Sequence, residues 1–371
     1  CTAADIDGDA KPDLVFGSYT GAGIYLGDGA GGFKDATDLW MPQYTDFAGF
    51  SIAPVDLDGD GDLDFFVGAG FTPPPCDDLK CVYSTTNLQC IFDPPAASMS
   101  QMDDRVLIRG PNLPLVDQTS TWKVPTGGNQ SVIAALDVDG DGKMDMLVGD
   151  ELGGHRLLHN TGSAFMVHDL DIGFQPWAAA MGWGIGDLNG DGKVDLVLAD
   201  AGPSPAYLQI AGKPGLPVQF AEHGLDLNIG WATWGASAWT PVLADFDHDG
   251  QDDVLLGVAV NMTAEKLLAF VTSCGSSMGS SGTNPFDGEM STDLLFLHGP
   301  GPGLTPFALP PGLFAHGLYL DQKVIDIDGD GDLDVVQTRP GPGMKPVARV
   351  RILRNDLPKL GGSILVVLDG K

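Results

Sequence analysis

The sequence predicts an all-β protein, a β-propeller of four-stranded blades. Three observations carry that expectation. A nine-residue acidic loop recurs six times, opening at Asp5, Asp56, Asp137, Asp187, Asp245 and Asp326. The openings are 51, 81, 50, 58 and 81 residues apart, so the unit is about fifty residues and two copies carry roughly thirty extra. The 52 Gly and 27 Pro among 371 residues lie between short apolar runs rather than in one tract, as many short strands with turns require.

Taken in order, the chain opens at Cys1 on a truncated strand ahead of the first loop. Residues 51–55 and 131–136 are strand-like runs that lead into the second and third loops, and 65–68 and 146–149 lead out of them. Each loop therefore joins strand 1 to strand 2 of a hairpin. The third unit adds 156–160 and 165–170, and the last adds 335–338, 349–354 and 363–368, which makes four strands per unit. Four strands every fifty residues or so is the period of a propeller blade. The count gives six blades, and a seventh would need residues outside this chain or hidden in a longer unit. Residues 1–371 read as one domain, with insertions at 71–105 and 258–292 between strands 2 and 3. Those insertions leave the face opposite the acidic loops.

The loops have the chemistry of a cation site. Positions 1, 3, 5 and 9 supply side-chain oxygens: Asp5, Asp7, Asp9 and Asp13; Asp56, Asp58, Asp60 and Asp64; Asp137, Asp139, Asp141 and Asp145; Asp187, Asn189, Asp191 and Asp195; Asp245, Asp247, Asp249 and Asp253; Asp326, Asp328, Asp330 and Asp334. Position 7 offers its carbonyl, and Gly at positions 4 and 6 lets nine residues wrap one ion. Hard oxygens in that number suit Ca²⁺, up to six ions, and with no nitrogen or sulfur ligand in the loops zinc is not expected. An EF-hand would need Glu at position 12, where this chain has Phe16, Val67, Val148, Leu198, Leu256 and Gln337. A lone Asp-Gly-Asp turn reads equally well as a solvated hairpin, but six in register do not. Ala10 and His248 replace Gly and strain their turns, whereas Asn189 keeps an oxygen and loses a charge.

The formal net charge is −31, and 26 of the 50 acidic residues lie in the six loops. Such a field repels nucleic acid and anionic lipid. No run of eighteen apolar residues could span a bilayer, and the first thirty show no secretory signal pattern.

With Gly49-Phe50-Ser51 before the second loop and Val67-Gly68-Ala69-Gly70 after it, the chain resembles the FG-GAP and VCBS repeat families. That resemblance implies an integrin-α-like β-propeller with Ca²⁺ in each blade hairpin and partners bound on the opposite face. Trp183-Gly184-Ile185-Gly186, the stretch Arg351 to Asn355 and Gly361 to Gly370 are similar to the acidic branch that includes cartilage acidic protein and UnbV-like proteins.

All seven tryptophans, at 40, 122, 177, 183, 231, 234 and 239, lie within sixteen residues upstream of a loop. Trp183 and Trp239 read best as wedges between blades. Trp231 and Trp234 read as a rim platform for sugar or protein as readily as packing. Four of the five cysteines, Cys76, Cys81, Cys90 and Cys274, sit in the insertions, which suggests disulfides outside the cytoplasm. The expected pairs are Cys76 with Cys81 and Cys90 with Cys274, closing the two insertions into a lid. Free thiols are the alternative there. Cys1 is either a truncated strand or a lipidated terminus, and Asn129 and Asn261 open glycosylation sequons.

No Gly-x-Ser-x-Gly elbow or His-Glu-x-x-His pair occurs, and the Asp groups are committed to hairpins. The leading expectation is a secreted, cell-surface or envelope binding module for an extracellular protein or glycan. A subunit of a larger extracellular or envelope assembly is the alternative, and a polysaccharide lyase the less favoured one.

Overall fold

The computed structural model describes residues 1–18, 21–42, 49–70, 103–127, 132–150, 154–176, 179–234, 236–261, 293–298, 303–307, 321–339 and 349–357. Among them the fold is the expected one, an all-β, six-bladed β-propeller with almost no helix. Every blade is an antiparallel meander in sequence order.

The first blade comprises β1 (Thr2–Ala4), β2 (Asp13–Ser18), β3 (Gly21–Gly27) and β4 (Phe33–Asp35), followed by a helical turn, α1 (Thr37–Trp40). The second comprises β5 (Gly49–Val55), β6 (Asp64–Ala69), β7 (Arg105–Ile108) and β8 (Val116–Asp117). The third comprises β9 (Val132–Leu136), β10 (Asp145–Asp150), β11 (Gly154–Asn160) and β12 (Phe165–His168). The fourth comprises β13 (Ala180–Gly186), β14 (Asp195–Asp200), β15 (Ala206–Gln209) and β16 (Phe220–Glu222), followed by α2 (Ile229–Ala232). The fifth comprises β17 (Ala236–Ala244), β18 (Asp253–Asn261), β19 (Leu294–His298) and β20 (Leu304–Phe307). The sixth shows β21 (Asp321–Ile325), β22 (Asp334–Arg339) and β23 (Arg349–Leu353); the expected strand at 363–368 lies outside the described residues.

The acidic loop is the hairpin between strands 1 and 2, as expected. The residue before its first Asp pairs with its ninth: Ala4 with Asp13, Val55 with Asp64, Leu136 with Asp145, Ala244 with Asp253 and Ile325 with Asp334. Strand 2 therefore begins on the ninth Asp itself, one residue earlier than the apolar run suggests. β6 and β10 are buried at every position; β6 has a blade neighbour on each face, blade one on the Phe65 side and blade three on the Phe66 side. The run expected at 165–170 ends sooner, since Asp169 caps a 3₁₀ turn at Leu170–Ile172. Strand β18 runs to Asn261 and β7 starts at Arg105; most of both expected insertions lies outside the described residues.

The chain falls into two compact units, blades one to three and blades four to six. In the first, one apolar cluster joins blades one and two through Ile6, Ile24, Trp40, Phe65 and Leu107. A second joins blades two and three through Phe66, Val106, Trp122, Met146 and Leu158. In the second unit, Val197, Ile229, Leu256 and Phe296 join blades four and five, and Leu255, Leu295, Val335 and Leu353 join five and six. On β13 the glycines at 182, 184 and 186 face β17: a Cβ on Gly184 would stand 2.5 Å from Leu243 Cδ1. That stripe lets two first strands approach closely and puts Trp183 on the other face of β13.

The second unit repeats the first. Its acidic loops open 182, 189 and 189 residues after their counterparts, and in each unit the middle blade carries the insertion. Each insertion returns through a buried Asp that fastens it to the end of strand 2. Asp104 accepts from Ala69 N at 2.7 Å, and Asp293 accepts from Val258 N at 3.4 Å.

Candidate metal centres

Each acidic loop is wound around its own carboxylates. The first-position Asp accepts the sixth-position amide on Oδ2 in all six loops, from Ala10, Gly61, Gly142, Gly192, Gly250 and Gly331. Its Oδ1 accepts the fourth-position amide in loops one, two, three and six, from Gly8, Gly59, Gly140 and Gly329. The third-position Oδ1 accepts the fifth amide in all six, including Asn189 Oδ1 from Asp191 N at 2.9 Å. The fifth-position Oδ1 accepts the seventh amide, again in all six. Five or six amides turned toward acidic oxygens bring those oxygens together: single ligand atoms of Asp5, Asp7 and Asp13 lie within 4.8 Å of one another, as do those of the equivalent trios in loops two, three and five.

The ninth Asp is the buried pivot. Its Oδ2 accepts the second-position amide in all six loops. Its Oδ1 accepts the amide at the end of strand 3, from Gly27, Arg109, Asn160, Gln209, His298 and Asn355. Burial pushes Asp64, Asp145 and Asp195 up to about 6 and Asp253 up to about 7. An ionised ninth carboxylate is thus costly until a cation stands against it. The oxygen trios fit hard Ca²⁺, with the side chains at positions 1, 3, 5 and 9 as the residues that would hold it.

The departures from the loop pattern are accommodated. Ala10 at φ 64° and His248 at φ 60° adopt the left-handed backbone that Gly adopts elsewhere, at about 1–2 kcal/mol each. His248 Nε2 lies 3.0 Å from Asp332 Oδ1, so loops five and six meet. In loops one, three and four, Lys11, Lys143 and Lys193 stand beside Asp9, Asp141 and Asp191 and hold those carboxyls below the usual range.

Two features escaped sequence reasoning. Residues at the end of strand 3 reach into the preceding loop: Arg109 donates to Ile6 O at 2.8 Å, Asn160 to Leu57 O at 2.9 Å and Asn355 to Phe246 O at 2.8 Å. The signal available was the Asn in the apolar strand ends at 160 and 355. The second feature is an imidazole beside the third loop. His159, next to Asn160 on β11, sets Nε2 3.1 Å from Asp139 Oδ2 and joins Asp139 and Asp141 in a three-member group of metal-ligand atoms. It lies 20 residues beyond Asp139, so a reading confined to nine-residue windows misses it.

The tryptophans separate into classes. Trp40 and Trp122 are inter-blade core, and Trp183 and Trp239 are half-buried on first strands. Trp177 lies outside the described residues. Trp231 and Trp234 are 62% and 64% exposed, with rings stacked 5.9 Å apart at 22°. Helix α2 presents them because its opposite side is fastened: Ile229 is buried, Thr233 Oγ1 accepts from Ser204 N at 2.8 Å, and Asn228 Nδ2 donates to Leu304 O at 3.0 Å. Cys76, Cys81, Cys90 and Cys274 lie outside the described residues, and Cys1 is an exposed free cysteine. Among the described residues no helix is long and apolar enough to cross a membrane.

The FG-GAP-like repeat model matches residues 5–67, 137–198 and 187–256. Cartilage acidic protein 1 of Mus musculus and of Homo sapiens are each 25% identical over 374 residues, covering 94% of this chain and 49% and 48% of theirs. The chain spans about half the length of these curated relatives. Among solved structures, the V. cholerae biofilm matrix protein Bap1 is similar at 16% identity and a TM-score of 0.39, over 84% of this chain and 40% of that one. BBS1N, solved in complex with ARL6DN, is similar at 11% identity and a TM-score of 0.42, over 96% of this chain and 78% of that one.

Proposed function

The chain carries FG-GAP-like repeats, and from that premise we propose that it is a calcium-stabilised recognition module, working outside the cytoplasm, that binds an extracellular protein or glycan. The observation that carries the reading is the stacked, exposed Trp231–Trp234 pair, held out by a helix whose other side is anchored. Exposed aromatic rings on a fixed support are what a binding surface needs, because little side-chain entropy remains to be lost on contact. The absence of acid/base machinery in the loops supports binding over catalysis: their carboxylates already serve loop amides and cation sites. Extracellular calcium modules bind with dissociation constants of about 10⁻⁴ to 10⁻³ M, which favours a calcium-rich compartment.

The test is a glycan and extracellular-protein array screened with wild type and a Trp231→Ala/Trp234→Ala double variant, with and without Ca²⁺. A ligand retained by wild type in Ca²⁺ and lost by the folded double variant supports the platform. Equal binding by both proteins removes it.

A further inference from the structure

We infer that the third loop holds a borderline transition-metal cation of the Zn²⁺ class, through His159, Asp139 and Asp141, and so differs in selectivity from its five siblings. The inference rests on the reading of these loops as cation sites.

The geometry is specific to this blade. His159 Nε2 is 3.1 Å from Asp139 Oδ2, and one ligand atom from each of His159, Asp139 and Asp141 lies within 4.8 Å of the other two. Loops one, two, three and five each bring together a trio of carboxylates, and among these the third adds the imidazole. Imidazole with carboxylate is a donor set for Zn²⁺ and its neighbours, whereas Ca²⁺ takes oxygen. Lys143 shares Asp141, whose oxygens retain lone pairs for an ion.

A second imidazole lies near His159, outside the three-member group itself. His168 is 95% buried by the exposure of 5%, and its Nδ1 is tied to Asp171 Oδ2 at 2.7 Å. Ring geometry then turns Nε2 away from Asp171, and that nitrogen is buried without a hydrogen-bond partner. The His159 and His168 rings lie 6.2 Å apart. A carboxylate that fixes one imidazole nitrogen while the other stays open is how proteins orient histidines toward metals.

The test uses the whole chain in excess Ca²⁺, so that the oxygen-only sites are filled. Zn²⁺ is titrated against a chromophoric chelator, and Co²⁺ is added to a parallel sample for its ligand-field absorption. The expected result is one Zn²⁺ per wild-type chain that excess Ca²⁺ does not displace, a Co²⁺ spectrum with nitrogen character, and at least a tenfold loss of Zn²⁺ affinity in His159→Gln. Gln keeps a neutral polar group at the position but removes the imidazole. The inference is overturned if His159→Gln binds Zn²⁺ as wild type does, or if Ca²⁺ displaces all the zinc. Thermal stabilisation of His159→Gln by Ca²⁺ is recorded alongside: its loss in wild type and variant together sinks the calcium reading, whereas its retention with unchanged zinc binding sinks only this one.

Discussion

Replacing Asn160 with Ala measures what the reach between neighbouring blades is worth. Asn160 is fully buried; its Nδ2 donates to Leu57 O at 2.9 Å and Met144 O at 3.1 Å, and its Oδ1 accepts from Gly162 N at 2.8 Å. Alanine removes all three bonds, at about 1 kcal/mol net each, and takes its donor from the buried carbonyl of Leu57, at about 1 kcal/mol more, while the Met144 carbonyl is only part-buried. The expected loss is about 3–5 kcal/mol, a large share of a typical domain's 5–15 kcal/mol. Asn160→Asp should cost more, because it turns an acceptor toward both carbonyls and adds a charge beside buried Asp145. Asn355→Ala, which breaks the bond to Phe246 O in the second unit, should be destabilising by less, since Asn355 is only half-buried. Urea unfolding in saturating Ca²⁺, followed by far-ultraviolet circular dichroism, reads all three. A loss under about 1 kcal/mol for Asn160→Ala would refute the reasoning.

Removing calcium should lower the melting temperature by well over ten degrees. At millimolar Ca²⁺ each oxygen-only site adds roughly 1 kcal/mol, and together they approach the stability of a marginal domain; calorimetry with excess chelator checks this, and an unchanged melt removes the calcium reading. A separate expectation concerns Asp293, whose carboxyl burial pushes up to about 7 despite the Gln337 Nε2 donor at 2.6 Å. Its folded pKa exceeds the ordinary aspartate value of 3.8, so the folded state holds a proton that the unfolded state releases between those values. This contribution to stability is full below about pH 4, is lost as pH rises toward 7, and is flat beyond, up to about 4 kcal/mol in all. Asp293→Asn should flatten that part of the pH–stability curve measured in Ca²⁺, and an unchanged slope would contradict the assignment.

The blades were legible because the loop is a local object: nine residues satisfy most of their own amides, and the repeat fixes strand order before any long-range contact is known. The first-, third- and fifth-position side chains were legible as a cluster of oxygens for the same reason. Their second job, accepting the loop's own hydrogen bonds, is visible only in three dimensions. Gly184 and Gly186 were read as part of a family signature, yet their physical role, shared with Gly182, is the approach of β17 from the next blade. Asn160, Asn355 and His159 were opaque because each acts on a group that is distant in sequence. Asp104 and Asp293 were hidden for a different cause. Their signal is a shared spacing of 40 residues beyond Asp64 and Asp253, visible only when the chain is laid against itself at an offset of 189 rather than at the blade period.

That offset carries a practical consequence. Asp104 and Asp293 do the same task at matched positions, but the first faces the Arg156 guanidinium at 3.4 Å and the second faces the neutral amide of Gln337. One molecule therefore contains an experiment together with its control. The same carboxylate, one residue ahead of the third strand in each half, meets a guanidinium directly in one and in the other an amide, with the Arg351 charge also acting on it, so a difference in how the two anchors respond to pH or mutation points first to the partner each one faces.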